Sequence, residues 1–102
     1  MAKSLEQMRR EDAHLQILQT LADDPGYTAN HQLLQKALET YQAITMTETE
    51  ICDRLAWLED QRLVTLETVM HLTVAKLTDL GQAVSEGRER VNGVRRPRPS
   101  GR

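Results

Sequence analysis

Apolar residues recur at three- and four-residue steps from Asp12 onward. In "DAHLQILQTLADDPG", Leu15, Leu18, Leu21 and Ala22 share a helical face before Pro25 and Gly26 supply a stop and a turn. Polar residues after Ser4 extend this first helix N-terminally. After "YTAN", a second helix fits "HQLLQKALETY", with Leu33 or Leu34, Ala37, Leu38 and Tyr41 on one face and Thr28 or Asn30 as its cap. The connector "QAITMT" offers Ile44 as an anchor. Thr47 and Glu50 then have the spacing of a capping box, opening a third helix whose inward stripe is Ile51, Leu55 and Leu58. Beyond Gln61 and Arg62 the period shortens to that of strands. "LVTLETVMHLTVAKL" predicts a hairpin, roughly Val64 to Glu67 and Met70 to Leu77, with His71 on one strand face. Its connection is short and lacks the Gly or Asn that favours a tight turn. Helical spacing resumes in "TDLGQAVSEGRERV" at Leu80, Ala83 and Val84, extending to Val91, with Thr78 or Asp79 as the cap. The order is helix, helix, helix, hairpin, helix, a mainly α fold with a small β-hairpin.

Length limits this pattern to one domain, because 102 residues suffice for a single modest core. The division expected is residues 1–87 as the folded domain and 88–102, ending "NGVRRPRPSGR", as a flexible Arg/Pro-rich tail. Charge follows the same line. Residues 1–87 hold 7 Lys or Arg against 14 Asp or Glu, a net −7, whereas residues 88–102 hold 6 Arg against one Glu, a net +5. An acidic body repels phosphate, so any attraction for a polyanion is expected from the tail. The single Cys52 excludes an internal disulfide, and no apolar run approaches the roughly 20 residues that span a bilayer. A cytoplasmic protein without a membrane role is expected.

Two stretches carry a resemblance. "ICDRLAWLEDQRLVTLE" resembles the end of the recognition helix and the first wing strand of ArsR- and MarR-type winged helix-turn-helix regulators. "LTDLGQAV" resembles the segment that follows their wing. Together with the "GVRRPRPSG" ending, the whole chain is similar to small winged-helix proteins of Mu-like phages and prophages. The resemblance implies a three-helix core, a short wing and a C-terminal helix, with duplex DNA as partner and transcription regulation as function. On that reading Thr47, Thr49, Arg54, Gln61 and Arg62 contact DNA with the hairpin, and Arg88, Arg90, Arg95, Arg96 and Arg98 grip phosphates. It also implies a homodimer through the terminal helices, whose apolar residues, Leu15 to Leu21 and Leu80 to Val91, exceed what a small core can cover.

Two departures matter. Arg62 stands where such regulators usually have Gly, so the third helix must end by another device or with strain. The third helix also carries Glu48, Glu50, Asp53, Glu59 and Asp60 against Arg54 and Arg62, a poor balance for entering a phosphate-lined groove. The alternative is a protein-interaction or phage assembly module that uses the same fold with an acidic docking face. Catalytic and metal sites are not expected. Cys52, His14, His31 and His71 lack ligand spacing, no phosphate-cradling Gly loop or nucleophile–base pair is present, and no cofactor is implied.

Overall fold

The computed structural model describes residues 2–98. Its elements are α1 (Leu5–Asp23), β1 (Thr28–Asn30), α2 (His31–Gln42), α3 (Glu48–Asp60), β2 (Val64–Val69), β3 (Leu72–Leu77) and α4 (Asp79–Ser85). This is a winged-helix-like arrangement of four helices with a small antiparallel sheet in the order β1-β3-β2.

Each helix begins on a side-chain cap that satisfies an N–H the helix cannot. Ser4 Oγ accepts from Gln7 N–H at 3.1 Å, and Asn30 Oδ1 accepts from Leu33 N–H at 2.9 Å. Thr47 Oγ1 accepts from Glu50 N–H at 3.1 Å while Glu50 Oε1 accepts from Thr47 N–H at 2.9 Å, completing the capping box. Thr78 Oγ1 accepts from Gly81 N–H at 3.0 Å. The core joins Leu15, Ile17, Leu18 and Leu21 of α1 to Leu34 and Leu38 of α2, and to Ile51, Leu55 and Leu58 of α3. Leu63, Val64, Ala75 and Leu77 close it from the sheet side.

Several expectations need correction. "YTAN" is not merely a connector, because Thr28–Asn30 pairs antiparallel with β3, with Ala29 opposite Ala75. Asp24 Oδ2 prepares this strand by accepting from Gly26 N–H at 2.8 Å and Thr28 N–H at 3.3 Å. The hairpin strands run further than expected on the first side and start later on the second. Met70 and His71 form the turn, with Met70 at φ 59°, so His71 lies at an exposed tip and not on a strand face. Tyr41 and Leu80, read as core positions, are exposed. α4 stops at Ser85, followed by Gly87 at φ +83°, so Val91 reaches the core from irregular chain.

The terminal helices and the tail also differ from expectation. Leu15, Leu18 and Leu21 are buried inside this one chain, as are Ala83 and Val84, and the apolar surplus that motivated a homodimer is largely consumed there. The Arg/Pro-rich segment expected to be flexible in fact lies partly on the body. Val94 is buried in the core cluster, Arg95 N–H bonds the Glu11 carbonyl at 3.3 Å, and Arg95 Nε lies 2.5 Å from Asp12 Oδ1.

Candidate nucleic-acid interface

Helical geometry assigns α3 four faces. Ile51, Leu55 and Leu58 point inward and are fully buried. Thr49, Asp53, Ala56 and Asp60 point outward and are exposed. Glu50, Arg54 and Trp57 form the flank toward α1, and Glu48, Cys52 and Glu59 form the flank toward the sheet.

This division explains most of the carboxylates. Glu48 Oε1 accepts at 2.8 Å from Nε2 of His31, whose buried ring accepts the Thr73 N–H at Nδ1 at 3.1 Å. His31 thereby ties the starts of α2 and α3 to β3. Glu59 Oε2 accepts from Leu66 N–H at 3.0 Å, capping a backbone donor on the edge strand β2. Glu50 belongs to the capping box, whose Thr47 N–H bond holds its carboxyl below the usual range. Asp53 and Asp60 alone place carboxylates squarely on the outward face.

The residues proposed from sequence to meet DNA do not form one patch. Thr47 spends its hydroxyl on the cap, and Thr49 is exposed in the first turn of α3. Gln61 and Arg62 lie at the other end, about 20 Å away for a 13-residue helix. Arg62 takes φ 64°, the left-handed conformation that Gly usually supplies. Its N–H bonds the Glu59 carbonyl at 2.9 Å and the Leu63 N–H bonds the Leu58 carbonyl at 3.0 Å, a Schellman ending sealed by buried Leu58 and Leu63. α4 docks on this turn. Thr78 Oγ1 donates to the Arg62 carbonyl at 2.7 Å, and Gly81 sits so close that a Cβ there would lie 2.1 Å from the Leu63 carbonyl oxygen.

Arg54 is not on the outward face. It is half-buried toward α1, where Nη1 donates to His14 Nε2 at 3.3 Å. His14 is buried and stacks on Trp57, with ring centroids 4.3 Å apart and planes 10° apart. Its Nδ1 bonds the Gly93 carbonyl at 2.7 Å, which requires the proton on Nδ1 and leaves Nε2 as the acceptor. Burial lowers the His14 pKa to about 4 against a raising contribution from the Gly93 bond, and the Arg54 and Arg10 charges lower it further. Gly93, at φ +100°, fits where a Cβ would come within 2.7 Å of the Trp57 ring. No local sequence signal marks this His14–Trp57–Gly93 assembly, because its members are separated by about 40 positions each.

Among the tail arginines, Arg88 pairs with Glu86 at 2.7 Å and Arg95 with Asp12. Arg90, Arg96 and Arg98 are exposed. The hairpin tip presents Val69, Met70 and His71, and the wing's one Lys or Arg is Lys76, near the far end of β3. No group of three or more His, Cys, Asp or Glu residues among the described residues is placed to hold a metal ion, and no described helix is long and apolar enough to cross a membrane.

No family model matches the chain. It is 42% identical over 89 residues to the uncharacterized protein gp26 of Escherichia phage Mu, covering 87% of this chain and 91% of that protein. Among solved structures, it resembles a chain of the hsRosR-S4 complex with a TM-score of 0.56, at 18% identity, over 83% of this chain and 85% of that one. This second likeness is one of fold.

Proposed function

The chain belongs to the family of phage Mu gp26, and from this membership and its winged-helix-like fold we propose a phage- or prophage-encoded DNA-binding protein of the transcriptional-regulator kind. The observation that carries the reading is the free outward face of α3. Thr49, Asp53, Ala56 and Asp60 are exposed in a row on the helix that a winged-helix protein inserts into the major groove, with the β2–β3 hairpin beside it. The likeness to the hsRosR-S4 chain supports the fold on which this rests.

In the mechanism proposed, α3 enters the groove by shape, with Thr49 and Gln61 as hydrogen-bonding side chains for base edges. Asp53 and Asp60 disfavour phosphates, so the attraction comes from arginines outside that face: Arg62 at its end, and Arg88, Arg90, Arg96 and Arg98 after α4. Arg95 contributes mainly by tying its segment to Asp12, and Arg54 by its position beside α1.

A second reading is favoured by the same two aspartates and by the apolar hairpin tip. On it, the outward face of α3 docks a cationic protein partner, as in an assembly module. The double variant Asp53→Asn/Asp60→Asn separates the readings without touching Glu48, Glu50 or Glu59, which hold the fold. Fluorescence anisotropy with mixed-sequence duplexes should show tighter binding by the variant under the DNA reading, because two repulsive charges are gone. Weaker or unchanged duplex binding would count against α3 as the groove-entering helix.

A further inference from the structure

Residues 1–87 hold 7 basic side chains among 14 acidic ones, yet three of the seven, Arg9, Arg10 and Arg54, line the groove between α1 and α3. Arg9 is occupied, donating to the Thr45 carbonyl. Arg10 and Arg54 are different. The ion pairs among the described residues use Lys3, His31, Arg88 and Arg95, so neither of these two guanidinium groups neutralises a carboxylate.

The groove has two halves that share Arg10 and Arg54. Its outer half, about 140 Å³, also meets Glu6, Glu50 and Asp53, which disfavour an anion. Its inner half, about 270 Å³, opens beside His14, Trp57 and Gly93. The one carboxylate there, Glu11, is already engaged by Lys3 Nζ at 2.6 Å and Gln7 Nε2 at 3.3 Å. Arg54 is also held in place. Buried His14 remains a neutral acceptor, fixed by the Gly93 carbonyl on one side and the Trp57 ring on its face, and it takes a single N–H of the Arg54 fork. Among the described residues no other acceptor engages that fork, so its remaining donors face the groove from a guanidinium anchored at one N–H.

We propose that the inner half of the α1–α3 groove is an oxyanion site that takes a phosphate group between Arg10 and Arg54. Two guanidinium groups from two helices suit the several oxygens of a phosphate group better than a carboxylate, which one fork already satisfies. The phosphate can belong to a DNA backbone or to a small phosphorylated molecule, and the site does not depend on the DNA reading. Because the groove includes both α3 and the Gly93 segment, its occupancy would bear directly on the helix proposed to enter the groove of DNA.

Trp57, the sole tryptophan of the chain, reports on this site. The experiment is a titration of the full chain with inorganic phosphate, followed by Trp57 fluorescence, against sodium chloride at matched ionic strength. A saturable change with phosphate, at least tenfold weaker in both Arg10→Gln and Arg54→Gln and retained in Lys36→Gln, is expected. A response no larger than that of chloride, or one unchanged in the two arginine variants, overturns the site. Arg10 is exposed, so its variant keeps the test valid even where Arg54→Gln disturbs packing. Repeating the titration with a short duplex present identifies the source. A shifted phosphate midpoint upholds the site as a backbone contact, and an unshifted one upholds it as a site for a small phosphorylated molecule.

Discussion

His14 shows how one side chain can tie a pH dependence to a local arrangement. Its pKa falls from the ordinary 6.5 to about 4 when the chain folds, so the unfolded chain takes up the proton first. The stabilisation is therefore fully present above pH 6.5 and is lost as pH falls toward 4, by about 3 kcal/mol at most for a shift of this size. Urea unfolding at pH 7 and pH 4.5 should show the wild type losing more stability than His14→Gln; an equal loss in both would refute the assignment. Arg62 offers a simpler case. Its left-handed φ is a cost that Gly would avoid, so Arg62→Gly should stabilise by about 0.5–1 kcal/mol in the same assay. A destabilised variant would mean that the Arg62 side chain makes a larger contribution elsewhere. The strain at Arg62 was legible in the sequence, because a non-Gly residue stood at the end of a strongly periodic helix. The role of His14 was not, since nothing local to "DAHLQ" indicates Trp57 or Gly93.

At the scale of elements, legibility followed local chemistry. The starts of α1, α3 and α4 were marked by Ser4, Thr47 and Thr78, which satisfy N–H groups within the next three residues. Thr47→Ala removes half of the capping box and should cost about 1 kcal/mol in urea unfolding; a loss near zero would show that Glu50 alone suffices. β1 is not legible because three residues with one buried alanine have no period to detect, and its pairing with β3 spans about 45 positions. The end of α4 is not legible because Val91 continues the helical spacing, whereas Gly87 turns the chain first. The carboxylates of α3 were visible as residues but not as partners. His31 and the Leu66 N–H, which engage Glu48 and Glu59, come from other elements.

Across the whole molecule, the division of charge at Gly87 is real in sequence but is not a division of structure. The segment carrying the arginines also carries Val94 into the core and Gly93 against Trp57. Deleting everything after Gly87 would remove core packing along with charge, about 1.5–3 kcal/mol for a buried Val alone. A charge-only variant, Arg88→Gln/Arg90→Gln/Arg96→Gln/Arg98→Gln, leaves Gly93, Val94 and the Arg95–Asp12 pair in place. The most direct test is therefore fluorescence anisotropy of the full chain and this variant with mixed-sequence duplexes across a salt series. The full chain is expected to bind at low salt with a steep logarithmic salt slope, and the variant to bind more weakly, its slope smaller by up to about 0.9 for each phosphate it no longer neutralises. Absence of binding by the full chain at low salt would contradict a DNA-binding role, and equal slopes for the two proteins would contradict the assignment of attraction to these arginines.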